Sequence, residues 1–231
     1  MTTSLAVATP GSVPYREALA WQERLLAERL AGGPDVLLLL EHPPVYTLGR
    51  GADERFLGVA AGGSTDVVRV GRGGQVTWHG PGQLVGYPIV DLRGHRQDVH
   101  WYVRSLEAVL VAALADVGVS AAARPGYPGV WVQDRKIASI GVGIRRWVTW
   151  HGFALNVGCD LDGFAAITPC GIAGVRMTTL AAEGGPSAVV ELVPVVRRRF
   201  VDRFGYEAWH ELASGSASAA RRHARDSGKG A

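Results

Sequence analysis

Short apolar segments, each ended by glycine or proline, recur along this chain and limit it to a fold built around a β-sheet. Residues 35–41 give the clearest signal. The run is apolar without a helical period, and the sequence His42-Pro43-Pro44 ends it, so we predict a buried strand. Similar segments predict further strands over residues 45–48, 67–70, 75–79, 84–92, 119–123, 129–133, 136–148 and 149–157.

Three longer segments predict helices. Residues 14–31 begin with Pro14 in a first turn and end at Gly32, and residues 98–117 begin at Asp98, a good N-terminal cap, and end at Gly118. A last helix is predicted over residues 187–204, with its run of three arginines on a solvated face, and a short one over residues 162–167. Residues 49–63 are predicted to be a loop.

These elements predict a fold of the α/β class (α+β type), with helices flanking a mixed, largely antiparallel sheet. One domain over residues 1–212 is the simplest organisation, and two smaller domains are the alternative. Residues 213–231 are rich in Gly, Ser, Ala and Arg, and we expect them to form a disordered basic tail.

The net charge of +3 comes from that tail, which carries four basic residues and one acidic residue. The rest of the chain is neutral, so a nucleic-acid-binding surface is not expected. No apolar run approaches the roughly 20 residues of a membrane span, and no secretory signal is evident at the N-terminus. We therefore expect a cytoplasmic protein whose two cysteines are reduced.

Lysine is almost absent, which draws attention to Lys136. Of 24 basic residues only Lys136 and Lys229 are lysines, and Lys229 belongs to the tail. Lys136 opens a predicted strand, and lysine, unlike arginine, can give up its proton. An amine function at Lys136 is one interpretation; a codon bias against lysine is the other.

Cys170 is the candidate nucleophile. It lies between Pro169 and Gly171 on a predicted loop, where backbone N–H groups can approach a ligand closely. A small buried side chain is the alternative for a free cysteine. Cys159 is followed by Asp160, whose charge disfavours a thiolate, so we predict a structural role for it.

Two polar, glycine-containing segments are candidate binding elements. Residues 72–83 include His79, an acid/base or positioning group in one interpretation and a structural imidazole in the other. Residues 151–156 are predicted to form the edge of a pocket or an ordinary core strand. The seven histidines have no metal-ligand spacing, so no metal is predicted.

Five segments in order resemble the lipoate-biosynthesis octanoyltransferases, over about residues 14–180. They are Glu41–Arg50 (EHPPVYTLGR), then Arg72-Gly73-Gly74 through His79-Gly80-Pro81-Gly82-Gln83 to Pro88, Lys136–Gly141 (KIASIG), His151–Asn156 (HGFALN) and Pro169-Cys170-Gly171-Ile172. The resemblance implies a fold shared with biotin and lipoate protein ligases. It implies that an octanoyl group passes from octanoyl-acyl carrier protein to a lysine amine of lipoyl domains, as the first step of endogenous protein lipoylation.

The resemblance also implies roles for individual residues. Cys170 would carry the acyl group as a thioester, Lys136 would lower the pKa of Cys170, and His79 would be auxiliary. Substrate contacts are implied at Arg72, Gly73, Gly74, Gln75, Val76, Thr77, Trp78, His79, Ser139, Ile140, Gly141, Gly152, Phe153 and Ala154. No cofactor is implied, and the acceptors would be the lipoyl domains of 2-oxoacid dehydrogenase E2 subunits and the glycine cleavage H protein.

Three other functions remain alternatives. An ATP-dependent lipoate or biotin ligase on the same fold would form an acyl-adenylate and need no nucleophilic cysteine. A lipoyl amidotransferase would differ in its donor. A non-catalytic module that binds RNA or a protein partner would draw on the arginines and the seven tryptophans, but the neutral body and scattered aromatic residues disfavour it.

Overall fold

The computed structural model describes residues 4–168 and 174–212, apart from the side chains of residues 59–62. The Pro169–Ile172 segment with Cys170 and the predicted tail over residues 213–231 lie outside the described residues. Within the described residues, no helix is long and apolar enough to cross a membrane.

Most strands belong to one nine-stranded sheet. Its strands are β1 (Ser4–Ser12), β2 (Asp35–Glu41), β6 (Gln83–Ile89), β7 (Ala122–Arg124), β8 (Tyr127–Val132), β9 (Arg135–Arg145), β10 (Val148–Asn156), β11 (Arg176–Met177) and β12 (Ala208–Glu211). The order is β12-β1-β2-β6-β10-β9-β8-β7, and β11 pairs with β9. Pairing is antiparallel except between β1 and β2, β1 and β12, and β9 and β11, so the predicted largely antiparallel sheet is confirmed.

A second, three-stranded sheet lies beside the first. It consists of β3 (Val45–Leu48), β4 (Asp66–Arg69) and β5 (Val76–His79), in the order β4-β3-β5. The turn from β5 to β6 joins the two sheets, and Gly82 makes this turn with φ of 80°. A Cβ atom at Gly82 would lie 2.7 Å from the backbone nitrogen of Cys159, so glycine is required there.

Helices cover both faces of the large sheet. They are α1 (Tyr15–Leu30), α2 (Val99–Asp116) and α4 (Val189–Phe204). The short helix α3 (Asp162–Ala165) packs instead on the small sheet, and 3₁₀ segments lie at Glu54–Gly62, Leu92–Gly94 and Ala181–Glu183. Leu37 and Leu39 of β2 face the core that α2 and α4 cover, whereas Leu38 and Leu40 face the core under α1. Because β2 is buried on both faces, its sequence is a continuous apolar run.

The predicted helices and most predicted strands are confirmed within a few residues. Asp98 caps α2, and its carboxylate accepts a hydrogen bond from the Trp101 N–H at 3.0 Å. Three expectations were wrong. The predicted loop over 49–63 contains a 3₁₀ segment, the strand predicted over 84–92 ends at Ile89, and that over 119–123 begins only at Ala122. Strands β1, β11 and β12 were not predicted.

The arginine run of α4 is more than a solvated face. Arg198 and Arg199 both donate to the carboxylate of Asp116 at the end of α2. The guanidinium carbon of Arg197 lies 3.6 Å from the centroid of the Trp209 ring on β12. The run therefore joins α4 to α2 and to the edge strand.

Candidate active site

A cavity of about 260 Å³ lies where the small sheet meets β9 and β10. Lys136 and all of the sequence-predicted substrate contacts except Gly73 and Trp78 line it. Gly73 instead donates its N–H to the Val142 carbonyl at 2.9 Å. Trp78 packs away from the cavity, with its ring centroid 5.4 Å from that of Phe164, because side chains alternate along β5.

Lys136 is held in the cavity wall by its strand. Its side chain is only 2% exposed, and Nζ lies 5.4 Å from the centroid of the Trp131 ring, within range of a cation–π contact. Its backbone carbonyl accepts a hydrogen bond from the Thr178 N–H at 3.0 Å, and β11 pairs Met177 with Lys136. The chain that leaves the Cys170 segment is therefore paired beside the lysine.

The Lys136 side chain packs against Gly129, where a larger residue would clash with it. The φ of Gly129 is 126°, and its N–H donates to the Glu107 carboxylate at 3.0 Å. A Cβ atom there would lie 2.7 Å from Cε of Lys136 and 2.4 Å from the Ala138 carbonyl oxygen. The Lys136 amine can therefore occupy its observed position only because residue 129 has no side chain.

We expect Gly129→Ala to lower the free energy of unfolding by about 1–3 kcal/mol, because the new methyl group overlaps Lys136 and the β9 backbone. Urea unfolding measures this loss. Gly126→Ala, in the same hairpin, is the matched control, since Gly126 also has a positive φ (80°) but a Cβ atom there would meet no other part of the described chain within 4 Å. Equal losses in both variants would mean that backbone strain alone, and not the contact with Lys136, determines the effect.

Arg72, a buried side chain that lines the cavity, anchors the loop of residues 72–75. Its Nη1 donates to the carbonyls of Gly73 and Gln75 at 3.0 and 2.9 Å, and its Nη2 donates to the carbonyl and hydroxyl of Thr47, both at 2.8 Å. These bonds tie residues 72–75 to β3. The geometry therefore gives Arg72 a structural task in addition to the predicted substrate contact.

Histidines and tyrosines from α1, β5, β6 and β10 form another part of the wall, supported from behind by His42. His42 Nδ1 donates to the Val13 carbonyl at 2.6 Å, and Tyr87 donates its hydroxyl to His42 Nε2 at 2.7 Å. The Tyr15 ring stacks on His79 with centroids 5.8 Å apart. Burial lowers the pKa of His42 to about 4 and of His79 to about 3, so both imidazoles are neutral near pH 7.

His151 is the most unusual member of this wall. Its φ is 53°, rare for a residue with a side chain, and burial lowers its pKa to about 3. Both ring nitrogens are buried without a partner among the described residues. Strain and an unsatisfied buried imidazole together are typical of a functional site.

The comparison with known proteins now identifies the family. The sequence pattern of the lipoyl protein ligase A/B catalytic domain matches residues 14–204. The chain belongs to this family. One relative, named "Octanoyltransferase", from Gloeobacter violaceus, is 54% identical over 201 residues, which cover 86% of this chain and 89% of the relative.

Solved structures support the same fold for this lipoyl ligase A/B domain. A bipartite lipoate protein ligase from Thermoplasma acidophilum superposes with a TM-score of 0.69 at 20% identity, covering 95% of this chain and 90% of that one. The biotin protein ligase of Aquifex aeolicus gives a TM-score of 0.52 at 15% identity, covering 87% and 70%. The predicted likeness to lipoate and biotin ligase catalytic domains is confirmed.

The sequence-predicted site residues leave out six residues that line the site of this lipoyl ligase A/B domain, namely Tyr15, Tyr87, Gly126, Tyr127, Pro128 and His151. For His151 a signal existed, because it precedes a glycine in an apolar strand as His79 precedes Gly80. Cys159, for which a structural role is predicted, is buried, and burial raises the pKa of its thiol to about 12. Among the described residues no cluster of three metal-ligating side chains occurs.

The buried histidines predict the pH dependence of stability. In the folded domain their pKa values lie below the ordinary 6.5, so between about 6.5 and the folded values the unfolded chain binds more protons. The free energy of unfolding is therefore not reduced by these histidines above about pH 6.5. Below that pH it falls as the pH drops, by up to about 1.4 kcal/mol per pH unit for each buried histidine. Urea unfolding across this range measures it. His42→Gln should flatten the curve, whereas exposed His100→Gln should not.

Proposed function

We propose that this chain transfers an octanoyl group from octanoyl-acyl carrier protein to the lysine amine of lipoyl domains, through a thioester on Cys170. The observation that carries the proposal is a buried amine, Lys136, in the wall of an apolar cavity. The relatives named "Octanoyltransferase" support octanoyl transfer. The Thermoplasma ligase described with its E2 lipoyl domain supports a lipoyl domain as acceptor.

The cavity suits a short acyl chain. Its volume of about 260 Å³ is small for a ligand site, and Ile140, Phe153 and Ala154 are among the apolar residues that line it. Each buried methylene contributes about 0.8 kcal/mol, so the cavity distinguishes neighbouring chain lengths by only a few-fold.

In the first half-reaction, the Cys170 thiolate attacks the carbonyl carbon of the octanoyl thioester. A new C–S bond to Cys170 forms and the bond to the phosphopantetheine sulfur breaks. The Lys136 ammonium, which stabilises the starting thiolate by its charge, gives a proton to the leaving sulfur and becomes neutral. The pairing of β11 with Lys136 supports this arrangement, because Arg176 follows Cys170 by only six residues.

In the second half-reaction, a neutral lysine amine of the lipoyl domain attacks the acyl-enzyme. A C–N bond forms, the C–S bond to Cys170 breaks, and the amine gives one proton to neutral Lys136. This restores the thiolate and the ammonium. Because an amide is much more stable than a thioester, the transfer needs no ATP.

Intact-protein mass spectrometry after mixing with octanoyl-acyl carrier protein tests the proposal. We expect one octanoyl adduct without ATP or magnesium, peptide mapping that places it on Cys170, and its loss to an added lipoyl domain. Turnover that requires ATP and magnesium would identify a ligase instead. A strong preference for an octanoylated lipoyl domain as donor would identify an amidotransferase.

A further inference from the structure

A chain of amide side chains links His79 to the backbone of Thr178, the residue after the strand β11 that pairs with Lys136. The His79 Nδ1 lies 2.7 Å from Gln83 Oε1, and the Gln83 Nε2 donates to Asn156 Oδ1 at 2.9 Å. The Asn156 Nδ2 in turn donates to the Thr178 carbonyl at 3.0 Å. Gln83 and Asn156 are each 1% exposed, so water does not compete for these bonds.

The direction of every bond in this chain is fixed by a backbone carbonyl. The Thr178 carbonyl can only accept, so the Asn156 amide nitrogen must face it and the Asn156 oxygen must face Gln83. The Gln83 nitrogen then donates to Asn156, and its oxygen is left to accept from His79. The hydrogen of His79 therefore sits on Nδ1, and Nε2 carries a lone pair.

We propose that His79 presents this unprotonated Nε2 to the cavity as the hydrogen-bond acceptor for the incoming primary amine, and that Gln83 and Asn156 are positioning residues that set its tautomer. This inference rests on the proposed function, since it assigns an orienting group to the second half-reaction. When His79 Nε2 accepts a hydrogen bond from one N–H of the amine, the orientation of the amine is fixed. The lone pair of the substrate nitrogen is then directed toward the thioester.

The contrast with His42 supports a ligand role rather than a structural one. Both nitrogens of His42 are used, one by the Val13 carbonyl and the other by the Tyr87 hydroxyl. His79 lines the same cavity, but no described residue forms a hydrogen bond with its Nε2. A histidine that only completes the core needs both nitrogens paired.

His79 orients the amine but does not take its proton. Burial lowers the pKa of His79 to about 3, and the neighbouring titratable and charged groups that lower it further are His42, Arg72 and His151; Tyr15 stacks on the ring. So weak a base cannot hold a proton near pH 7, so the proton lost by the amine goes to Lys136. His79 thus orients the substrate nitrogen, and Lys136 accepts its proton.

The tautomer can be measured without any activity. Imidazole ¹⁵N chemical shifts, assigned with a His79→Gln variant, should show a protonated Nδ1 and an unprotonated Nε2 for His79 near neutral pH. A hydrogen on Nε2 would overturn the inference and would leave the proposed function untouched.

The kinetic test replaces Gln83 by glutamate. The carboxylate still accepts from His79 Nδ1, but its charge favours the imidazolium, which carries a hydrogen on Nε2 and cannot accept. Aminolysis of the isolated octanoyl-enzyme by a lipoyl domain, relative to the native enzyme, should therefore rise at least about tenfold between about pH 6 and about pH 8.5 as the imidazolium deprotonates.

Gln83→Met is the matched control, because it breaks the same chain without adding a charge. Its rate relative to the native enzyme should be lowered but flat with pH. Equal, pH-independent losses in Gln83→Glu and Gln83→Met would reduce His79 to a structural role. A native enzyme that forms no octanoyl adduct would instead refute the proposed function, so the two failures are distinguishable.

Discussion

Lys136→Arg is expected to lower octanoyl transfer to lipoyl domains by about 100-fold or more, since a positioned general base contributes about 10²–10⁴ in rate. Arginine keeps the positive charge that stabilises the Cys170 thiolate, but it holds its proton at any ordinary pH. The octanoyl adduct should therefore still form, more slowly, and should then persist. Single-turnover mass spectrometry of adduct formation and of its loss to a lipoyl domain separates the two steps.

A second variant separates charge from size. Lys136 is 2% exposed and lies close to Gly129, so the larger arginine must be accommodated in a tight wall. Lys136→Met is close in shape and neutral, and it should slow adduct formation as well, because the thiolate loses its partner. Urea unfolding of both variants shows whether the fold is retained. Native turnover by Lys136→Arg would eliminate the general-base role.

Local signals were enough to predict much of the fold. The apolar run of β2 and the Asp98 cap of α2 are properties of a few adjacent residues, and both were predicted. Strand β1 was missed because its second half is exposed and contains Pro10 and Gly11. Its neighbours in the sheet are β2 and β12, and the pairing with residues 208–211 spans almost the whole chain. Parallel pairing at that distance leaves no local pattern.

The residues of the candidate site also fall into those that the local sequence predicts and those that depend on contacts between distant segments. Lys136 was singled out by its rarity, and residues 72–79 by their glycines. Tyr15 and Tyr87 could not be predicted, because each has an ordinary place in its element and reaches the cavity only through the packing of α1 and β6. Asn156 is the only asparagine of the chain, but its partners Gln83 and Thr178 become evident only when three distant segments meet.

The two cysteines give the sharpest remaining prediction. Cys170→Ala should form no octanoyl adduct, and transfer should fall by at least about 10⁴-fold, because the nucleophile and its covalent intermediate are lost together. Intact-protein mass spectrometry with octanoyl-acyl carrier protein measures the adduct.

Cys159→Ala is the matched control, since it removes a thiol of the same kind from a different environment. Cys159 is 6% exposed, and burial raises the pKa of its thiol to about 12, so it is protonated and shielded near pH 7. This variant should keep the adduct and most of the activity, at a cost of about 1 kcal/mol of stability for the small cavity that it leaves. An adduct that persists in Cys170→Ala and disappears in Cys159→Ala would reverse the assignment. A local opening of the fold would then be needed to expose Cys159. The proposed role of Lys136, stabilising the Cys170 thiolate, would be lost.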